Sequence, residues 1–95
     1  MVDGEPLSPI AARQLISRIL SKGSVVFSSH ARKEGAKDGL DIPALEKVLR
    51  SGAVQQGEWE NGEWRYQVRA GKSTIVISFE SDEELTVITA WRERR

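Results

Sequence analysis

Ninety-five residues, 39% of them hydrophobic, with fourteen basic side chains balanced by fourteen acidic ones, describe one small folded domain rather than a disordered chain. The absence of cysteine excludes disulfides, thiolate metal sites and cysteine nucleophiles, and one histidine is a poor basis for a transition-metal centre, so neither metal nor cofactor is expected. No apolar run approaches the roughly 18 residues of a membrane span, and no basic start leads into an apolar stretch, so a cytoplasmic domain with no membrane partner is expected. A dedicated non-specific nucleic-acid binder is usually basic, so in a neutral chain the placement of charge matters more than its sum.

Met1 to Leu7 holds Gly4 and Pro6, shows no period, and reads as a flexible end. Ser8-Pro9 then marks a helix start, because a serine hydroxyl can accept from the free amides and proline suits the first helical position. Ala12, Leu15, Ile16, Ile19 and Leu20 recur at helical spacing, and Gly23 closes the helix. Ser24 to Ser28 is rich in β-branched and aromatic residues and reads as a strand at the centre of a sheet. Ser28 or Ser29 caps a short polar helix from His30 to about Lys37, which Asp38-Gly39 breaks. Asp41 caps a third helix, with Pro43 in its first turn, an apolar face of Ile42, Leu45, Val48 and Leu49, and Gly52 as its end.

The second half reads as strands. Ala53–Glu60 and Glu63–Ala70 flank Asn61-Gly62, a strong hairpin signal that sets Trp59 opposite Trp64 and Glu58 opposite Arg65. Gly71-Lys72 is the next two-residue turn. It sets Val68 opposite Ile75 and Tyr66 opposite Ile77, so the core face holds Tyr66, Val68, Ile75, Ile77 and Phe79. Trp64 and Trp91 join that core by parity, while Trp59 beside the turn stays partly accessible. The last strand, Leu85–Arg92, follows an acidic loop. A three-residue loop would place Arg92 on the polar face beside Arg65 and Arg69, and a four-residue loop would exchange the faces. Residues 93–95 read as a flexible basic end. This order implies a two-layer α+β fold, with N-terminal helices packed on a mostly antiparallel sheet that ends in a four-strand meander, in a single domain that is a monomer in isolation.

The residues able to carry chemistry are few. His30, at a strand-to-helix junction, could act as an acid or base near neutral pH, or simply cap and pack. Arg65, Arg69 and Arg92 could hold a phosphate by forked hydrogen bonds, or form a solvated sheet face with cross-strand pairs such as Glu58–Arg65. Trp59 could stack on a base, and Lys72 adds a cation at a turn. No carboxylate at triad spacing and no glycine elbow accompanies Ser28-Ser29-His30, which excludes a serine hydrolase.

Val26-Phe27-Ser28-Ser29-His30-Ala31, the helix from Ile42 to Leu49 closing at Ser51-Gly52, Arg65-Tyr66-Gln67-Val68-Arg69, and Leu85-Thr86-Val87-Ile88-Thr89-Ala90-Trp91 follow one another in order. Together they resemble the domain-of-unknown-function 4258 family of small bacterial domains over about residues 15 to 92. Arg32 matches the first arginine of that family's arginine-rich stretch, and Gly35 to Asp38 stands where the second is usual. The family is similar to RelE-type and motility quorum-sensing regulator-type toxins, small α+β ribonucleases held in check by an antitoxin. The resemblance therefore implies metal-independent RNA cleavage, with RNA and an antitoxin protein as partners. On that reading His30 is the base or acid, Glu34 orients its ring, Arg65, Arg69 and Arg92 stabilise the phosphate, and Arg32, Trp59 and Lys72 bind RNA or the partner. The alternative is a non-catalytic protein- or RNA-binding module on the same fold.

Overall fold

The computed structural model describes residues 2–93. Three helices, α1 (Pro9–Lys22), α2 (Ser29–Lys37) and α3 (Ile42–Ser51), accompany six strands: β1 (Ser24–Phe27), β2 (Ala53–Val54), β3 (Glu58–Glu60), β4 (Glu63–Ala70), β5 (Ser73–Ser81) and β6 (Glu84–Arg92). Each helix begins where a short polar side chain accepts a backbone amide. Ser8 takes the Ala11 N–H, Ser28 the Ala31 N–H and Asp41 the Ala44 N–H.

The sheet runs β1-β6-β5-β4-β2, with β3 also paired to β4. β1 joins β6 in parallel and all other pairings are antiparallel, giving the expected α+β architecture. Two expectations need correcting. First, β1 lies at the sheet edge, not its centre, because the chain returns through the whole meander before β6 docks beside it. Second, the strand expected over Ala53–Glu60 is broken at Gln55-Gln56-Gly57. β2 pairs with the far half of β4 (Val54 with Val68) and β3 with its near half (Trp59 with Trp64). The Asn61-Gly62 turn has positive φ at both residues, 51° and 78°, as a two-residue hairpin turn requires.

All three helices pack on one face of the sheet. Ala12, Ile16 and Ile19 of α1, Ala31 of α2 and Leu45, Val48 and Leu49 of α3 close over Tyr66, Val68, Ile75, Ile77, Leu85, Val87 and Ala90. Gly35 lets α2 lie close to β6, since a Cβ there would stand 3.0 Å from the Leu40 carbonyl oxygen and 3.7 Å from the Ala90 Cβ. Arg13 of α1 reaches across to α3. Its guanidinium donates to the carbonyl oxygens of Gly52 (2.8 Å) and Leu49, which have no partner inside the helix, and burial lowers its pKa from the ordinary value.

The chain ends are held more firmly than composition implies. Val2 and Leu7 pack against the core, the Tyr66 hydroxyl accepts from the Leu7 N–H (2.9 Å) and donates to Glu5 Oε2 (2.8 Å), and Glu5 Oε1 accepts from the Val2 N–H (2.9 Å). The flexible end expected over residues 1–7 is thus a docked segment from Val2 onward, because a buried phenol needs hydrogen-bond partners and finds them there. Burial pushes the Tyr66 hydroxyl up to about 12. At the other end, the Glu93 N–H donates to the Lys72 carbonyl oxygen (2.8 Å), while Met1 and residues 94–95 lie outside the described residues.

Candidate functional site

The last strand decides which side chains meet. A two-residue turn, Asp82-Glu83, joins β5 to β6, and Ser81 pairs with Glu84. Between Phe79 and Ser81 the register shifts at Glu80, and between Val76 and Ile77 it shifts back at Ile88. Each extra residue is a β-bulge that reverses the side-chain alternation beyond it. As a result Leu85, Val87 and Ala90 face the helices, whereas Trp91 pairs with Thr74 on the open face. Trp91 is therefore not a core residue. Arg92 pairs with Ser73 and falls on the helix side, away from Arg65 and Arg69, so neither anticipated loop length describes this strand.

His30 is exposed in the first turn of α2. The serine before it does the structural work. Ser28 Oγ accepts from the Ala31 N–H (3.0 Å) and donates to the Ile88 carbonyl oxygen at the bulge (2.9 Å), while the Ser28 N–H donates to Val87 (3.0 Å). The Glu34 carboxylate makes no hydrogen bond to His30 among the described residues. It pairs with Lys37 Nζ at 2.9 Å, and that bond holds its pKa below the ordinary carboxylate value. Arg32 is exposed on the same helix.

Arg92 stands at the opposite end of α2, where its backbone N–H donates to Asp38 Oδ2 (2.9 Å). Asp38 lies eight residues beyond His30, or about 12 Å along a helix axis. Here Lys37, Lys72 and Arg92 converge with Asp38 and Glu93 around an open hollow of about 450 Å³. Lys72 and Arg92 are thus neighbours, which their separation in the chain conceals.

Arg65 and Arg69 occupy the other side of the sheet. Arg65 is largely covered and committed: its Nη1 lies 3.1 Å from Glu60 Oε1 and its Nε 3.0 Å from Glu63 Oε2. The anticipated partner Glu58 does sit opposite Arg65 in the ladder, but the ion pairs go to Glu60 and Glu63. Arg69 is exposed and donates to Gln67 Oε1 (2.6 Å). Trp59 is 55% exposed and meets Trp64 edge-on, with ring centroids 5.3 Å apart. The anticipated set thus splits into three places: His30 at one end of α2, Arg92 with Lys72 at the other, and Arg65 with Arg69 across the sheet.

Charge is sorted in the same way. The helical stretch from Pro9 to Ser51 carries eight basic and four acidic side chains, and the stretch from Ala53 to Glu93, strands with their turns, carries four basic and eight acidic ones. Arg18 and Lys22 of α1, Arg32 and Lys33 of α2, and Lys47 and Arg50 of α3 are all exposed. None of these six forms an ion pair among the described residues. No group of histidine and carboxylate side chains suited to a metal ion occurs among the described residues, and no described helix is long and apolar enough to cross a membrane. Comparison with protein-family models, with curated proteins and with solved structures finds no match.

Proposed function

We propose that this protein is a non-catalytic RNA-binding module that meets its partner through the helical layer. The observation that carries the reading is the segregation of charge, with exposed and unpaired cations on all three helices of a chain whose net charge is zero. Such a face attracts a polyanion by releasing its counterions. The resemblance to RelE-type toxins favours RNA as that polyanion. The reading stops short of cleavage because metal-free hydrolysis needs a base, an acid and a cation around one phosphate. His30 stands about 12 Å along α2 from the level of Arg92, and the sheet separates it from Arg65 and Arg69.

Binding of a fluorescein-labelled single-stranded RNA, followed by anisotropy over a salt series, tests the reading. The affinity should fall steeply with salt. An Arg32→Glu/Lys33→Glu double variant should weaken it and flatten the log–log slope by about 0.7 for each phosphate that is no longer neutralised. The labelled RNA should stay intact on a gel. Binding that ignores the double variant would defeat the reading, and cleavage that His30→Ala removes would restore a ribonuclease.

A further inference from the structure

The bulge at Ile88 has a second result besides closing the core. It turns Trp91 out of the core and onto the open face, where helices cover nothing. Bulges commonly re-aim a side chain beside a functional surface. Trp91 there lines a hollow of about 240 Å³ together with Val76, Thr89 and Gln67. Glu58, Glu60 and Arg65 complete its lining, with Glu58 opposite Arg65 in the ladder. Glu60 is occupied by Arg65, but the Glu58 carboxylate is exposed and takes no ion pair or hydrogen bond among the described residues. The stretch from Ala53 to Glu93 holds twice as many acidic as basic side chains, the reverse of the helical stretch.

A hollow lined by an indole and by an unpaired carboxylate favours a cation. A phosphate backbone would be repelled here, since Arg65 is already neutralised by Glu60 and Glu63. We propose that this hollow is a docking site for a lysine or arginine side chain on an extended segment of a protein partner, with the side chain over Trp91 and its charge against Glu58. The site is independent of the RNA-binding layer, which lies on the opposite side of the molecule.

The test is a titration of the labelled protein with a glycine-flanked oligolysine peptide, followed by the Trp91 indole N–H resonance. The peptide should shift that resonance saturably, and its lysine-acetylated form should not. Glu58→Gln should weaken binding roughly two- to five-fold, the scale of an exposed ion pair. Trp91→Leu should weaken it roughly three- to thirty-fold, the scale of a cation–π contact. Arg32→Glu/Lys33→Glu should leave it unchanged, which separates this result from the fate of the RNA reading. The proposal is overturned by an equal response to the acetylated peptide, by shifts as large at Asp82-Glu83 as at Trp91, or by an unchanged affinity in Glu58→Gln. A Trp91 resonance that moves with polyuridine, or with protein concentration alone, would assign the face to RNA or to a second copy and equally overturn it.

Discussion

The helical layer and the open face of the sheet are built from one neutral chain and differ in how their charges are used. On the helices one ion pair, Lys37–Glu34, occurs among the described residues, and six exposed cations face solvent unpaired. On the open face the polar groups largely answer one another. Arg65 holds Glu60 and Glu63, Arg69 donates to Gln67, and Glu80 Oε1 accepts from Ser78 Oγ (3.3 Å) and Thr86 Oγ1 (3.2 Å). Uncommitted charge is available to a partner, whereas paired charge mainly shapes the surface that bears it. That contrast makes Glu58, an unpaired carboxylate lining the same hollow as Trp91, informative.

The two regions share one core, so the largest effect should come from removing part of it. Ile77 is fully buried on the central strand. Ile77→Ala should cost about 2–5 kcal/mol in denaturant unfolding and weaken both surfaces together. Loss of one binding activity with the other intact would mean that the layers unfold separately.

Next comes Tyr66, the lone tyrosine, whose ionisation can be followed by ultraviolet absorbance. Its folded-state pKa lies near 12, above the ordinary 10, so the folded form retains the proton more strongly than the unfolded form does. The corresponding stability is complete below about pH 10 and is lost as pH rises towards 12, by at most about 2–3 kcal/mol. Tyr66→Phe should remove this alkaline loss, lower stability at neutral pH by about 1–2 kcal/mol, and increase hydrogen exchange at Leu7. An absorbance midpoint near 10 in the wild-type protein would show that the phenol is not held as described.

A smaller change is expected from Arg65→Met. The guanidinium is partly covered but both carboxylate partners reach solvent, so the loss should stay within about 1 kcal/mol in a thermal melt. The smallest should come from Arg32→Glu/Lys33→Glu, which touches no ion pair among the described residues and should leave the melting temperature nearly unchanged while altering RNA binding. A marked drop in stability would erase the distinction between uncommitted and paired charge.

Local chemistry made much of this legible from the chain alone. Ser8, Ser28 and Asp41 announce three helix starts, and Asn61-Gly62 and Gly71-Lys72 fix two hairpins whose registers follow by counting. Those signals act over a few residues, so neighbouring side chains suffice to express them. Three features are carried by contacts distant in sequence. The bulges at Glu80 and Ile88 depend on how β6 fits between β5 and β1, and they decide that Trp91 and Arg92 exchange faces. The docking of Val2–Leu7 depends on the Tyr66 hydroxyl, some sixty residues away. The capping of α3 by Arg13 depends on the crossing of two helices, which no periodicity in either reveals.

The sequence by itself determined the order of elements, the composition of the core face and the absence of thiol chemistry, because these follow from residue type and spacing. Only the tertiary structure decided which polar side chains share a surface. A single extra residue in a strand reverses its faces, and a parallel edge strand carries His30 to the end of α2 farthest from Arg92. That is why the anticipated meeting of His30 with three arginines resolves into separate surfaces, a cationic helical layer and an acidic, tryptophan-bearing sheet.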